Sequence, residues 1–231
     1  MSFYRGFEKR AEEKPKLRDT LLAGYVSPSM AGIAAMGPVA LLNRLESSIP
    51  FSEVKKFVKK INKSRGLKTK VTELPMSTGA RILGSSGEYR PGVDTIALTR
   101  NANLSTAAHE MGHASMMPLL IKDKSLNRLV DLSRKGSFAA GVLGTPLALY
   151  SEGDIQKAAP YIAPIAASPL VAEEAIASIR GVKDIAKHYG TTKAIKAVPS
   201  LLAALGTYAA IPAASYYYSK KYLEKRKKGK K

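Results

Sequence analysis

The chain has no cysteine and no tryptophan, only three histidines, and 18 acidic residues against 37 basic ones. Without thiols there is no disulfide framework, no Cys-ligated zinc or iron–sulfur site and no thiol nucleophile. A transition-metal site would have to be built from histidine and carboxylate, and His109, His113 and His188 are the whole supply of imidazole. The shortage of acid leaves a formal charge of +19 over 231 residues. That balance favours anionic partners, nucleic acid or an anionic lipid surface, without choosing between them. The length suits one ordinary domain with accessory segments and a sizeable core.

What is present is arranged in blocks. Four stretches, 21–42, 136–151, 158–172 and 197–219, contain no Asp, Glu, Lys, Arg or His. The first and last reach the roughly 20 residues that a helix needs to cross a bilayer. The middle two are separated only by 152–157 and read as a tight helical hairpin. Pro28, Pro38, Pro199 and Pro212 interrupt the long stretches, and a mean hydropathy of −0.12 is low for four spans. Small residues are nonetheless what helices in lipid pack through. Membrane-embedded helices are the expectation, with buried core helices as the alternative. A basic stretch before the first apolar run has the outline of a secretory signal, but the run is too long and interrupted, and 41–44 offers no small-residue cleavage site.

The resulting organisation is a basic segment 1–20, an apolar helix 21–42, a soluble part 43–135, an apolar hairpin 136–172, a helix 173–190, an apolar helix 197–219 and a basic tail 220–231. In the soluble part Val54, Phe57, Val58 and Ile61 recur at helical spacing after Ser52, a plausible N-cap, so 52–62 is an amphipathic helix. Its other face, Lys55, Lys56, Lys59 and Lys60, is either simply solvated or docks on anionic lipid headgroups. The β-prone runs 81–83 and Thr95–Thr99, with turn residues between them, suggest a loose hairpin. Asn103 or Ser105 then caps a helix expected over about 106–117, with Pro118 limiting or kinking its end.

That helix reads Ala107-Ala108-His109-Glu110-Met111-Gly112-His113-Ala114. Histidines four residues apart project from one helix face, one turn above the other, at a separation a single tetrahedral zinc bridges. Glu110 follows the first histidine, placed to take a proton from zinc-bound water and deliver it to a leaving amine. Ala107, Ala108, Gly112 and Ala114 allow another helix to approach closely. The competing account of the pair is structural, two buried histidines.

A catalytic zinc usually takes a third protein ligand. His188 is one candidate, although its place in the last turn of a helix closed by Gly190 equally suits a cation at the C-terminal dipole. Glu173 and Glu174, expected in the first turn of a helix beginning near Pro169, are the others. From Glu174 the positions three, four and seven residues on are Ala177, Ser178 and Gly181, a smooth ridge suited to the equally smooth histidine helix. Glu174 is therefore favoured, with Glu173 second; acidic residues stabilising a helix N-terminus are the bland reading.

The upstream Tyr89-Arg90-Pro91 and Ile96-Ala97-Leu98, the histidine helix and the downstream Glu174-Ala175-Ile176-Ala177-Ser178-Ile179-Arg180 together resemble the bacterial membrane-bound neutral zinc metallopeptidases, over roughly 88–180. The resemblance implies a zincin-like metalloprotease core, one zinc ion held by His109, His113 and Glu174, Glu110 as catalytic base, and a peptide or protein substrate. Tyr89 and Arg180 enter as candidates for stabilising the oxyanion through their place in the motifs. Arg90 after Tyr89, Ser115-Met116-Met117 after the histidine motif and the strongly basic termini depart from the family's pattern.

The fold class expected is α+β, mostly helical, with a short β-hairpin and several apolar helices, the protein being membrane-embedded or multi-pass. His109 and His113 precede the apolar region 136–172 and Glu174 follows it, so the three meet only if that region crosses a membrane twice or not at all. The tail 220–231, with eight Lys or Arg and one Glu, suits anionic headgroups; nucleic acid is the less favoured partner, since no recognition signature accompanies the charge. The positive-inside tendency puts the tail in the cytoplasm, although the 43–135 segment is also basic and the rule counts short loops best. The alternative function is a non-enzymatic membrane- or virion-associated structural protein that retains a zincin-like module.

Overall fold

The computed structural model describes residues 49–74, 87–99 and 102–228. The apolar block 21–42, the basic segment 1–20, the run 81–83 and the last residues of the tail lie outside them. The described residues are mostly helical with one small sheet. In chain order they form α1 (Phe51–Arg65), β1 (Lys70–Leu74), β2 (Gly87–Arg90), β3 (Thr95–Thr99), α2 (Leu104–Lys122), α3 (Lys124–Tyr150), α4 (Gly153–Tyr189) and α5 (Thr191–Lys228).

α1 is longer than the expected 52–62. It starts after Pro50, whose carbonyl accepts from Glu53 N and Val54 N at 2.8 and 3.2 Å, and no side chain caps it, so Ser52 is not the cap. It ends at Gly66, whose left-handed backbone (φ 66°) lets its N–H reach the Asn62 carbonyl. Val54, Phe57, Val58 and Ile61 are buried as their spacing requires, while the four lysines between them remain exposed. The buried face joins Ile96 and Leu98 of β3 and Ala107, Ala108, Met111 and Ala114 of α2 in one cluster, completed by Ile185, Ala194 and Ala197. Phe57 is fully buried there, and truncating it to alanine would cost about 3–5 kcal/mol.

The sheet order is β1-β3-β2, with β1 parallel and β2 antiparallel to β3. β3 is central and buried along its whole length. Its hairpin partner is Gly87–Arg90, joined through a single 3-10 turn at Pro91–Val93. Asp94 closes that turn in a left-handed conformation (φ 44°). Its carboxylate accepts from the hydroxyls of Thr69 at 2.9 Å and Tyr89 at 3.0 Å, and its carbonyl accepts from Lys70 N at 2.9 Å, which ties β1 to the hairpin.

α2 begins at Asn103, whose Oδ1 accepts from Thr106 N at 2.9 Å and from the Thr106 and Ser105 hydroxyls. The expected end near Met117 is overrun, and Pro118 sits inside a helix that continues to Lys122. A proline removes one intrahelical donor, here the one that would bond the Ala114 carbonyl, and the helix continues past that single loss.

The described residues form two compact units. One comprises 49–132 and 169–208 and holds the sheet, α1, α2 and the facing parts of α4 and α5. The other comprises 133–168 and 209–228. Within the latter, a methyl group added at Gly144 would lie 2.6 Å from Ser215 Oγ and 3.4 Å from the Ala159 carbonyl, so α3, α4 and α5 meet at close quarters there. Ala159, Ala163 and Ala167, four residues apart, form the buried stripe of α4, and the Tyr161 and Tyr216 rings pack 5.6 Å apart.

The expected boundary between an apolar hairpin 136–172 and a helix 173–190 is absent. α4 runs unbroken through 37 residues from Gly153 and contains Pro160, Pro164 and Pro169, so Glu173 and Glu174 stand mid-helix rather than in a first turn. A reversal does join α3 to α4, but it shrinks to Ser151-Glu152, with Gly153 at φ 64°. α5 likewise carries the tail as helix as far as Lys228, in keeping with the good helix formers Lys, Leu, Glu and Arg there. Among the described residues, α4 and α5 are long and apolar enough to cross a membrane, and α3 is not.

Candidate metal centre

The site lies wholly within the unit that contains the sheet. α2 presents His109 and His113 to α4, and the two helices touch backbone to backbone. A methyl group on Gly112 would collide with the carbonyl of Ala177, and one on Gly181 would lie 2.9 Å from the carbonyl of Ala108. The ridge of Ala177, Ser178 and Gly181 therefore packs against the histidine helix as its small side chains foretell.

Contact at that range brings three donor atoms together. Glu174 Oε2 is 3.0 Å from His109 Nε2 and 3.3 Å from His113 Nε2, and the two Nε2 atoms are 3.2 Å apart. Donors around a tetrahedral zinc at 2.0–2.1 Å are separated by about 3.3 Å, so the set closes around a metal ion without rearrangement. The side chains keep 11%, 10% and 6% of their exposure at His109, His113 and Glu174 respectively. This buried group could hold a metal ion. Three buried carboxyl groups, Glu110, Glu173 and Glu174, stand around the two imidazoles.

Glu110 is buried beside them. Burial pushes its carboxyl above the usual range, against the pull of His109 and His113, and it accepts from the Tyr89 backbone N–H. A methyl group on Gly87 would lie 3.2 Å from Glu110 Cγ and closer still to Leu98 and Thr106, so β2 needs glycine there to pass Glu110. Burial alone would lower His113, but hydrogen bonds to Glu173 and Glu174 raise it to about 10.

The third-ligand alternatives separate in space. Glu173 Oε1 sits 3.2 Å from His113 Nδ1, on the far side of that ring from Glu174. His188 belongs to the last turn of α4 as expected, but it is outside the donor group, edge-on to Phe57 with ring centroids 6.3 Å apart. Tyr89 gives its hydroxyl to Asp94, and Arg180 donates to the Ser115 carbonyl at 2.7 Å, so both oxyanion candidates are engaged in holding the fold. From the sequence Glu173 stands as the second ligand candidate and Ser178 as part of the packing ridge; their contacts with the outer histidine nitrogens, and the tight passage at Gly87, are visible only in the structure.

No family model matches the chain, and no curated protein or solved structure matches it either.

Proposed function

We propose that the protein is a membrane-associated zinc metallopeptidase with a zincin-like core, His109, His113 and Glu174 as ligands of one zinc ion, and Glu110 as general base. The observation that carries this reading is the convergence of Glu174 Oε2 on both Nε2 atoms at 3.0 and 3.3 Å with Glu110 buried alongside. Two imidazoles and one carboxylate are a donor set suited to catalytic zinc, three protein ligands leaving a position open. The chemistry such an ion supplies is Lewis acidity toward the scissile carbonyl and acidification of water. The motif order from Tyr89 to Arg180 adds support.

The chain's own residues would do the rest. Glu110, its proton affinity raised by burial, takes a proton from the attacking water and returns it to the leaving amine. The Tyr89 amide and the Gly87 clearance keep its carboxylate in place.

Membrane association is supported by α4 and α5 and by the end of α5. There Lys220 lies over the Tyr216 ring at 5.5 Å and Lys221 over Tyr217 at 5.6 Å, a tyrosine and lysine pairing typical of a membrane–water boundary. Anionic headgroups are the partner proposed for the basic tail.

The deciding experiment is Glu110→Gln assayed for peptide hydrolysis and zinc content. Hydrolysis should disappear while one equivalent of zinc remains. Full activity in this variant would end the peptidase reading, and a purified wild-type protein without zinc, unable to take it up, would favour the structural alternative.

A further inference from the structure

We infer that Glu173 and Ser178 are positioning residues of the metal site, each holding the outer nitrogen of one histidine so that its Nε2 faces the ion. The inference rests on the metal-binding reading above and extends it to residues that do not touch the metal.

Each imidazole has two nitrogens, and a neutral ring carries one proton between them. Both Nε2 atoms point at Glu174 Oε2. Both Nδ1 atoms point elsewhere on α4: His113 Nδ1 to Glu173 Oε1 at 3.2 Å, and His109 Nδ1 to Ser178 Oγ at 3.1 Å. An acceptor at Nδ1 keeps the proton there and leaves the Nε2 lone pair free to bind a metal. It also fixes the ring plane, since a ring held at both nitrogens cannot rotate about its Cβ–Cγ bond.

The positions follow from helix geometry. Glu173 and Glu174 are neighbours, about 100° apart around α4, so they cannot reach the same nitrogen, but they can take opposite sides of one ring. His113 lies between them. Ser178, one turn beyond Glu174, meets the histidine one turn back on α2, because the two helices run in opposite directions where Gly112 meets Ala177 and Ala108 meets Gly181. Glu173 keeps 4% and Ser178 8% of its exposure, so water cannot readily replace either.

The two supports differ in kind. A carboxylate accepts more strongly than a hydroxyl, by roughly a factor of two, so His113 is the more firmly held ligand of the pair. Removing Glu173 should therefore matter more than removing Ser178.

The test measures zinc affinity by chelator competition on the full-length protein, with the ligand-field spectrum of the cobalt-substituted form as a second readout. Loss of an outer-shell partner typically weakens binding by about 10–100-fold. Glu173→Ala should fall at the upper end of that range, Glu173→Gln, which keeps an acceptor but not the charge, in the middle, and Ser178→Ala at the lower end. The cobalt spectrum should shift in all three. If Glu173→Ala does not fold, as circular dichroism would reveal, Glu173→Gln and Ser178→Ala carry the comparison. Wild-type affinity and an unchanged spectrum in the folded variants would overturn the inference while leaving the metal site standing. Failure of the wild-type protein to bind zinc would instead remove the reading beneath it.

Discussion

Gly112 and Ala177 touch through their backbones, with no room for a side chain between them. That contact sets the spacing of α2 and α4, and through it the distance from the two imidazoles to Glu174. Gly112→Ala should gain about 1 kcal/mol of helix propensity and lose it to overpacking of about 1–3 kcal/mol. The expected outcome is a lower melting temperature together with weaker zinc binding. A variant with unchanged zinc affinity would show that the ligand geometry does not depend on this contact.

Arg65 on α1 donates to Asp184 on α4 at 2.6 Å and also to the Ser115 hydroxyl of α2, which links three helices around the site. Asp184 is 5% exposed and Arg65 26%. Breaking a fully buried pair costs 3–5 kcal/mol, so Arg65→Met, from a partly exposed position, should cost about 2–3 kcal/mol by denaturant unfolding. Adding Asp184→Leu should recover much of that loss, because no unpaired buried carboxylate remains. A double variant no better than the single would argue against this origin.

Tyr89 is pushed above the usual phenol range by burial and by its hydrogen bond to Asp94. A raised folded-state pKa contributes stability that is present below about pH 10, the unfolded value, and is lost at higher pH as the folded group ionises. Spectrophotometric titration should therefore show a late-ionising component that is reduced in Tyr89→Phe. That substitution should also cost about 1 kcal/mol at neutral pH, the usual worth of one hydrogen bond. Coincident titration curves for the two proteins would contradict the assignment.

α4 and α5 expose Ile155, Ile165 and Tyr217 along helices long enough to span a bilayer. The full-length protein should stay with the membrane fraction through an alkaline wash and require detergent for release. Removing residues 220–231 should lower its affinity for vesicles containing phosphatidylserine, by about 1 kcal/mol for each basic residue near the surface. Recovery in the soluble fraction without detergent would remove the membrane from this protein's description.

Local chemistry was readable in advance wherever it depended on neighbours along one helix. The shared face of His109 and His113 and the buried stripe of α1 follow from separations of three or four residues, whereas the cap stayed open between Asn103 and Ser105 until the structure showed Asn103 bonded to Thr106 N. The Ala177–Ser178–Gly181 ridge showed which face of α4 would meet α2. The choice between Glu173 and Glu174 was only weighted by that ridge, because it turns on the rotation of one helix against another. Strand β1 escaped notice since its partner, β3, lies some 25 positions downstream and its own five residues mix lysine and glutamate with the apolar ones. Pro169 read as a helix start and Pro118 as a limit or a kink, yet each removes only one donor, and the packed helices continue through them.

The elements of the chemistry are written in the chain itself: no thiols, three histidines, two of them one helical turn apart, a carboxylate beside them, and smooth helix faces that permit close contact. These are properties of composition and short-range periodicity, which no packing arrangement alters. Packing alone brings Glu174 to both Nε2 atoms, Glu173 and Ser178 to the opposite nitrogens, and leaves His188 apart against Phe57. Those outcomes depend on how α4 is rotated and how near it comes to α2, and the contacts of Gly112 with Ala177 and of Gly181 with Ala108, far apart in the chain, set both.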